Sequence, residues 1–129
     1  MSLLVNLFNN RKQEPDDAHK RIRIGDQTVY LNSRGRIPVI IQQAKSRKTE
    51  IVDLVYMNDD ALKLTVQSGE IFLFKRSKGE IEKMISPDGK GYQVKSIQIN
   101  RNRRSLLITV KAHRASNPSM NFIHEITVN

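Results

Sequence analysis

The chain contains no cysteine and no tryptophan, and only three histidines among its 129 residues. Without thiols it can form no disulfide, hold no thiolate-bound metal and use no cysteine nucleophile. His19, His113 and His124 stand far apart, with none of the close spacing that brings two imidazoles onto one metal, and they read as surface or strand histidines. No Ser/His/Asp arrangement can be argued from spacing. There is no glycine-rich phosphate loop ending in Gly-Lys-Ser/Thr, and Gly89-Lys90-Gly91 reads as a turn. Aromatic residues make up 5% of the chain, and only Tyr92 lies near the basic blocks in sequence. The interleaving of rings and cations typical of single-strand binders is therefore weak.

Long apolar runs are missing too. No window approaches the roughly 20 apolar residues a membrane span needs. The apolar stretch from Met1 to Phe8 has no basic residue before it, is short, and is followed by no small-residue cleavage pattern. The expectation is a soluble, cytoplasmic protein with no membrane partner. At this length the chain fits one domain with a real core.

Positive charge is abundant. The formal net charge is +9 and the pI about 10.1, which favours anionic partners: nucleic acid, phosphorylated small molecules or acidic protein faces. The charge is also uneven. Residues 34–48 carry Arg34, Arg36, Lys45, Arg47 and Lys48 with no acid, whereas residues 49–74 set five acids against Lys63. Residues 75–104 are basic again. Such polarity also suits self-association, acidic face to basic face.

Residues 1–20 read as an apolar arm and a charged connector, with residues 21–129 as a single domain. Leu3, Leu4, Leu7 and Phe8 fall at helical spacing, suiting either a short terminal helix or docking on a protein partner. From Arg21 the pattern is β. Arg21–Ile24, a Gly25-Asp26 turn and Thr28–Leu31 predict a hairpin. Pro38–Gln43 and Ile51–Tyr56 predict two strands joined by a polar connector, Ala44–Thr49. One helix is well signalled: Asn58 as cap, Asp59 and Asp60 in the first turn, an apolar stripe of Ala61, Leu62, Thr65 and Val66, and Gly69 as a left-handed stop. Glu70–Phe74 predicts a strand, Ser86–Gly89 a turn, Tyr92–Ile99 and Leu106–Val110 two long strands, and Asn121–Val128 a last one. The fold class expected is α+β and β-rich, with one main helix and no βαβ alternation.

Between those two long strands lies Asn100-Arg101-Asn102-Arg103-Arg104, expected at a hairpin tip, where three guanidiniums are either solvated or in contact with something negative. Four further segments occur in order: Gly35–Gln42, Val55–Leu62, Ser68-Gly69-Glu70 and Arg76-Ser77-Lys78-Gly79. Together they resemble the phosphoribosyl-AMP cyclohydrolase family of histidine biosynthesis, over about residues 20–112. That family carries an I-P-A-I-x-Q-like strand, a Y-M-N-x-E-A-L helix start, a T-G-E turn and an S-R-S-R-G stretch.

The resemblance implies a compact cyclohydrolase-like domain, an intertwined homodimer, and hydrolytic opening of an adenine ring with a metal supplying hydroxide. It also implies metal ligands: three cysteines, one within a D-C-D-x-D tip, whose aspartates are associated with a magnesium-type site. Here that tip aligns with Asn100–Arg104, with Asn100, Asn102 and Arg104 at the aspartate positions and Arg101 at the cysteine. The later cysteine segment aligns with Ala115–Met120, which has none, and Glu82 stands at the family's tryptophan. The chain is thus expected to be a non-catalytic relative, with no catalytic residues, metal or cofactor. Its anion contacts are expected at Lys75, Arg76, Ser77 and Lys78, where the family handles a substrate bearing two phosphates, and at Arg101, Arg103 and Arg104. A divergent cyclohydrolase or nucleotide hydrolase, and a structural subunit of a larger assembly, are the alternatives.

Overall fold

The computed structural model describes residues 20–113 and 121–128. The arm with Leu3, Leu4, Leu7 and Phe8, and the Ala115–Met120 segment, lie outside the described residues. Strands β1 (Lys20–Ile24) and β2 (Gln27–Leu31) form the predicted antiparallel hairpin around Gly25, whose φ of 61° suits the turn. Strands β3 (Arg36–Lys45) and β4 (Lys48–Asn58) form a second hairpin, paired from Arg36↔Asn58 to Lys45↔Lys48.

These two strands run further than expected. The polar connector Ala44–Thr49 is mostly ladder, turning only at Ser46 and Arg47, with Ser46 at φ 56°. Exposed charged side chains leave backbone pairing intact, so polarity alone misplaced the strand ends. A bulge between Ile41 and Gln42 shifts the register partway along.

Helix α1 (Asp59–Ser68) follows β4 directly and has the predicted boundaries. Asn58 Oδ1 accepts from Ala61 N at 2.8 Å, Asp59 and Asp60 occupy the first turn, and Gly69 ends the helix at φ 77°. Ala61, Leu62 and Thr65 are buried, whereas Val66, at the margin of the stripe, is 45% exposed. Thr65 fastens the helix to the next strand: its hydroxyl donates to Ala61 O at 2.8 Å and accepts from Phe72 N at 3.0 Å.

Strands β5 (Phe72–Lys75) and β6 (Glu80–Lys83) form a small hairpin. Strands β7 (Val94–Ile99) and β8 (Leu106–Lys111) form a longer one, with Asn100–Ser105 at its tip. The predicted strand at Glu70 starts instead at Phe72, because Glu70 makes only an isolated bridge to Gln93. The last expected strand, Asn121–Val128, is not a strand. It is exposed throughout and, among the described residues, has no ladder partner. Asn121 Nδ2 reaches Val52 O at 2.6 Å. Alternation of apolar side chains cannot hold a strand whose backbone groups find no neighbour.

The main sheet has the order β4-β3-β8-β7, with β3 and β8 parallel and Val39 opposite Leu106. Its inner face presents Ile37, Val39, Ile41, Leu106, Ile108 and Val110, which pack into one buried cluster with α1, the β1–β2 hairpin and Tyr92. The result is the expected α+β, β-rich domain. The outer face is more open, with Ile40, Leu54 and Tyr56 at 39%, 49% and 46% exposure. No described helix is long and apolar enough to cross a membrane.

Candidate anion-binding site

The short loop between β2 and β3 is built by Asn32. Its side-chain oxygen accepts from Arg34 N at 2.9 Å and Arg36 N at 3.0 Å, while Asn32 N donates to Arg36 O at 2.7 Å. Gly35 completes the turn at φ 77°, where a β-carbon would be strained. This closure pushes Arg34 into solvent. Arg36 is half-buried, its guanidinium 4.9 Å from the ring centre of Phe74 on β5, a cation–π contact that joins the two hairpins.

The turn after β5 is tight as well. Lys78 N and Gly79 N both donate to Lys75 O, at 3.1 and 2.8 Å, and Gly79 takes φ 65°. Lys75, Arg76, Ser77 and Lys78 are all exposed. They do not share one role. Lys75 and Arg76 line a cleft of about 640 Å³ together with Asn32, Arg34 and Arg36, and Tyr56 and Phe74 supply its aromatic walls. Lys78 is engaged elsewhere, 2.8 Å from Glu82 Oε2. The hydrogen bond from Lys78 lowers the pKa of Glu82, and the same bond raises that of Lys78. Ser77 sits in the turn outside the cleft wall.

No carboxylate lines this cleft. Asp59 and Asp60 line an adjoining hollow that shares Arg34, Arg36 and Phe74 with the cleft, and Asp59 is already held by Lys63 at 3.1 Å and Lys20 at 3.4 Å. Four cations around one concavity repel each other, and an anion placed among them relieves that repulsion through charge-assisted hydrogen bonds. Residues 34–48 looked like one basic block in sequence. The fold splits it: Lys45, Arg47 and Lys48 occupy the opposite end of the β3–β4 hairpin, nine residues or about 30 Å from Arg36.

The β7–β8 tip is a self-contained turn. Asn100 Oδ1 accepts from Arg104 N at 3.0 Å and Ser105 N at 3.1 Å, and Asn102 Oδ1 accepts from Arg104 N at 3.0 Å. Arg103 adopts φ 64°, and its guanidinium Nη1 donates to Gln27 Oε1 at 3.0 Å and Thr28 O at 3.1 Å. Tyr30 N donates to Arg103 O at 2.8 Å, so β2 grips the tip from both sides of this residue. Arg101 and Arg104 are exposed. The structure therefore separates the three tip arginines into one that ties the tip down and two that face outward.

The metal that the family resemblance implies does not fit these residues. Both carboxamide oxygens are occupied by backbone N–H groups, and the other three positions are guanidiniums, which repel a dication. Among the described residues no cluster of three or more histidine, aspartate or glutamate side chains comes together.

One constellation had no signal in sequence spacing. Ser86, Asp88 and His113 meet at the end of β8: Ser86 Oγ donates to Asp88 Oδ1 and lies 3.2 Å from His113 Nε2, which is itself 3.3 Å from Asp88. Hydroxyl and carboxylate thus approach the same ring nitrogen. A nucleophile, base and orienter must instead engage opposite nitrogens of the imidazole, so this is a clasp and not a catalytic relay. The Ser86 hydroxyl, then Lys90 N–H and the nearby His113, lower the pKa of Asp88. Sequence reading also missed Asn32, Arg34, Arg36, Tyr56 and Phe74 as cleft residues. The one available cue was the Gly35–Gln42 segment, which placed Arg36 beside the second basic loop only if the two hairpins pack together.

No protein-family model matches the chain. Individual proteins do. The histidine biosynthesis bifunctional protein HisIE of Caldanaerobacter subterraneus is 36% identical over 84 residues, covering 65% of this chain and 40% of that protein. The chain spans about two fifths of the length of that relative and of its Pyrococcus furiosus counterpart. Phosphoribosyl-AMP cyclohydrolase of Renibacterium salmoninarum is 32% identical over 98 residues, 76% of this chain and 72% of the relative. That of Rhizobium etli is 32% identical over 109 residues, 84% and 67% respectively. With the strand, helix-start and turn segments described above falling inside these matches, the chain belongs to the phosphoribosyl-AMP cyclohydrolase family.

Proposed function

We propose that this chain is a non-catalytic member of its family that binds a phosphate-bearing ligand in the cleft between the Asn32–Arg36 loop and the β5–β6 turn. The observation that carries the reading is the lining: Arg34, Arg36, Lys75 and Arg76 around one concavity, two aromatic walls, and no carboxylate. The absence of cysteine from the whole chain and the occupied amides of the tip support the non-catalytic half.

Calorimetric titration with pyrophosphate tests the binding half. Saturable binding at low salt, lost in Arg34→Ala/Arg76→Ala, is expected. Binding that survives this change would move the site elsewhere. Stoichiometric zinc in the purified protein, or turnover of phosphoribosyl-AMP, would overturn the non-catalytic half.

The names of the relatives favour a second reading, a divergent cyclohydrolase, and the turnover assay decides between the two. Self-association has its own supporting observation. Phe122, Ile123, Ile126 and Val128 are 59–89% exposed on a segment without a described ladder partner, which suits pairing with a second copy. Light scattering showing a dimer that dissociates on removal of residues 121–129 is the expected result.

A further inference from the structure

The cationic cleft and the β7–β8 tip belong to one end of the sheet. Strands β3 and β8 are parallel, with Val39 opposite Leu106, so the loops that enter them, Asn32–Gly35 and Asn100–Ser105, lie on the same side. Tyr56 pairs with Pro38, and one step before Leu106 the position level with Pro38 is Ser105. Tyr56, Pro38 and Ser105, the last residue of the tip, therefore lie level with one another across the sheet, over two strand spacings or about 10 Å. A second path runs along β2. Tyr30 N is bonded to Arg103 O, and Asn32, the residue that builds the cleft loop, is two residues or about 7 Å further on.

We propose that this end of the sheet binds single-stranded nucleic acid, with a phosphate in the Arg34–Arg76 cleft, a base on the exposed ring of Tyr56, and a neighbouring phosphate on Arg101 and Arg104. The proposal rests on the phosphate-binding reading of the cleft and extends it to a polymer. A mononucleotide needs only the cleft. Arg101 and Arg104 stand beyond it, exposed, with no described carboxylate paired to them. The locked backbone of the tip presents these two side chains from a fixed turn, which reduces the entropy that binding must remove.

A single strand fits better than a duplex. Double helices are read by an element that enters a groove, and the one described helix opens with Asp59 and Asp60, which repel phosphates. Unpaired bases are held by stacking on rings displayed on a sheet face, as Tyr56 is displayed at 46% exposure.

Fluorescence anisotropy of a labelled 12-nucleotide oligothymidylate, titrated with the full chain at several salt concentrations, tests this. Affinity is expected to fall steeply with salt, and Arg101→Ala/Arg104→Ala to reduce the log–log slope by about 0.7, the contribution of the one phosphate the two arginines share. Tyr56→Ala is expected to weaken binding by about fivefold to about 150-fold, with Tyr56→Phe retaining it. Pyrophosphate binding should be unchanged in the tip variant. An unchanged slope in the tip variant, equal affinity for the duplex, or equal competition by polyglutamate would each overturn the proposal. If pyrophosphate still binds in those cases, the cleft reading stands alone. If pyrophosphate does not bind, both fall.

Discussion

Two arginine-rich turns in this molecule are built on the same plan and put their arginines to different uses. In the Asn32–Arg36 loop and in the Asn100–Ser105 tip, an asparagine side chain accepts two backbone N–H groups and a residue of positive φ closes the turn. In the tip the left-handed residue is Arg103, whose guanidinium is bonded to Gln27 and Thr28. In the cleft loop it is Gly35, so no side chain is held there, and Arg34 and Arg36 turn toward Lys75 and Arg76. A count of cations treats these regions as equals. The difference lies in whether backbone acceptors already lie within reach of the charge.

The largest expected effect is a double dissociation between the two turns. Arg34→Ala/Arg76→Ala should lower affinity for a phosphate ligand at least a hundredfold, since each charge-assisted hydrogen bond contributes about 1.5–3 kcal/mol, while the thermal midpoint stays put. Arg103→Ala should do the reverse. It should leave pyrophosphate affinity unchanged and cost about 1 kcal/mol of stability, a value at the low end because the tip is exposed. Paired calorimetry and thermal melts on both variants read the two axes. Arg103→Ala weakening the ligand as strongly as the cleft variant would erase the distinction.

A subtler form of the comparison asks whether the tip can be turned back into a carboxylate site. Asn100→Asp/Asn102→Asp/Arg104→Asp keeps two oxygens that can accept the backbone N–H groups and removes one cation. The expected outcome is a tip that still folds and now raises the melting temperature by a few degrees in millimolar magnesium, with no such shift in the parent. Absence of a magnesium response would show that the β1–β2 hairpin, and not charge alone, has closed the tip to cations.

Much of the fold was legible because its signals are local. The helix could be read from Asn58, Asp59, Asp60 and Gly69 because caps act within one turn of backbone. The β1–β2 and β7–β8 hairpins could be read from alternation around a turn. The parallel pairing of β3 with β8 could not, because Val39 and Leu106 carry no mark of each other. The cleft was hidden for the same reason: Arg34, Tyr56 and Arg76 become neighbours only when three hairpins pack. Tyr92, the one ring that looked close to the basic blocks, is buried in the core at 3% exposure. Tyr56, which sits in an acidic stretch of sequence, lines the cationic cleft together with Phe74. Asn121–Val128 failed in the opposite direction, since its alternation promised a strand that tertiary pairing did not supply.

The smallest expected effect concerns a third turn of related construction, Ser86–Gly89, where a carboxylate does what carboxamides do in the other two. Asp88 accepts from the Ser86 hydroxyl and from Lys90 N–H, and these bonds, with His113 nearby, hold its pKa below the ordinary aspartate value. A carboxyl whose folded pKa is depressed stabilises the fold in full above its unfolded pKa. It loses that contribution as pH falls through the folded value. Asp88→Asn should therefore be less stable than the parent at neutral pH. The gap between their urea midpoints should close as pH drops below about 4, because the parent then protonates the same oxygen. A gap that stays constant down to pH 2 would mean that geometry alone holds this turn and that the charge of Asp88 contributes nothing.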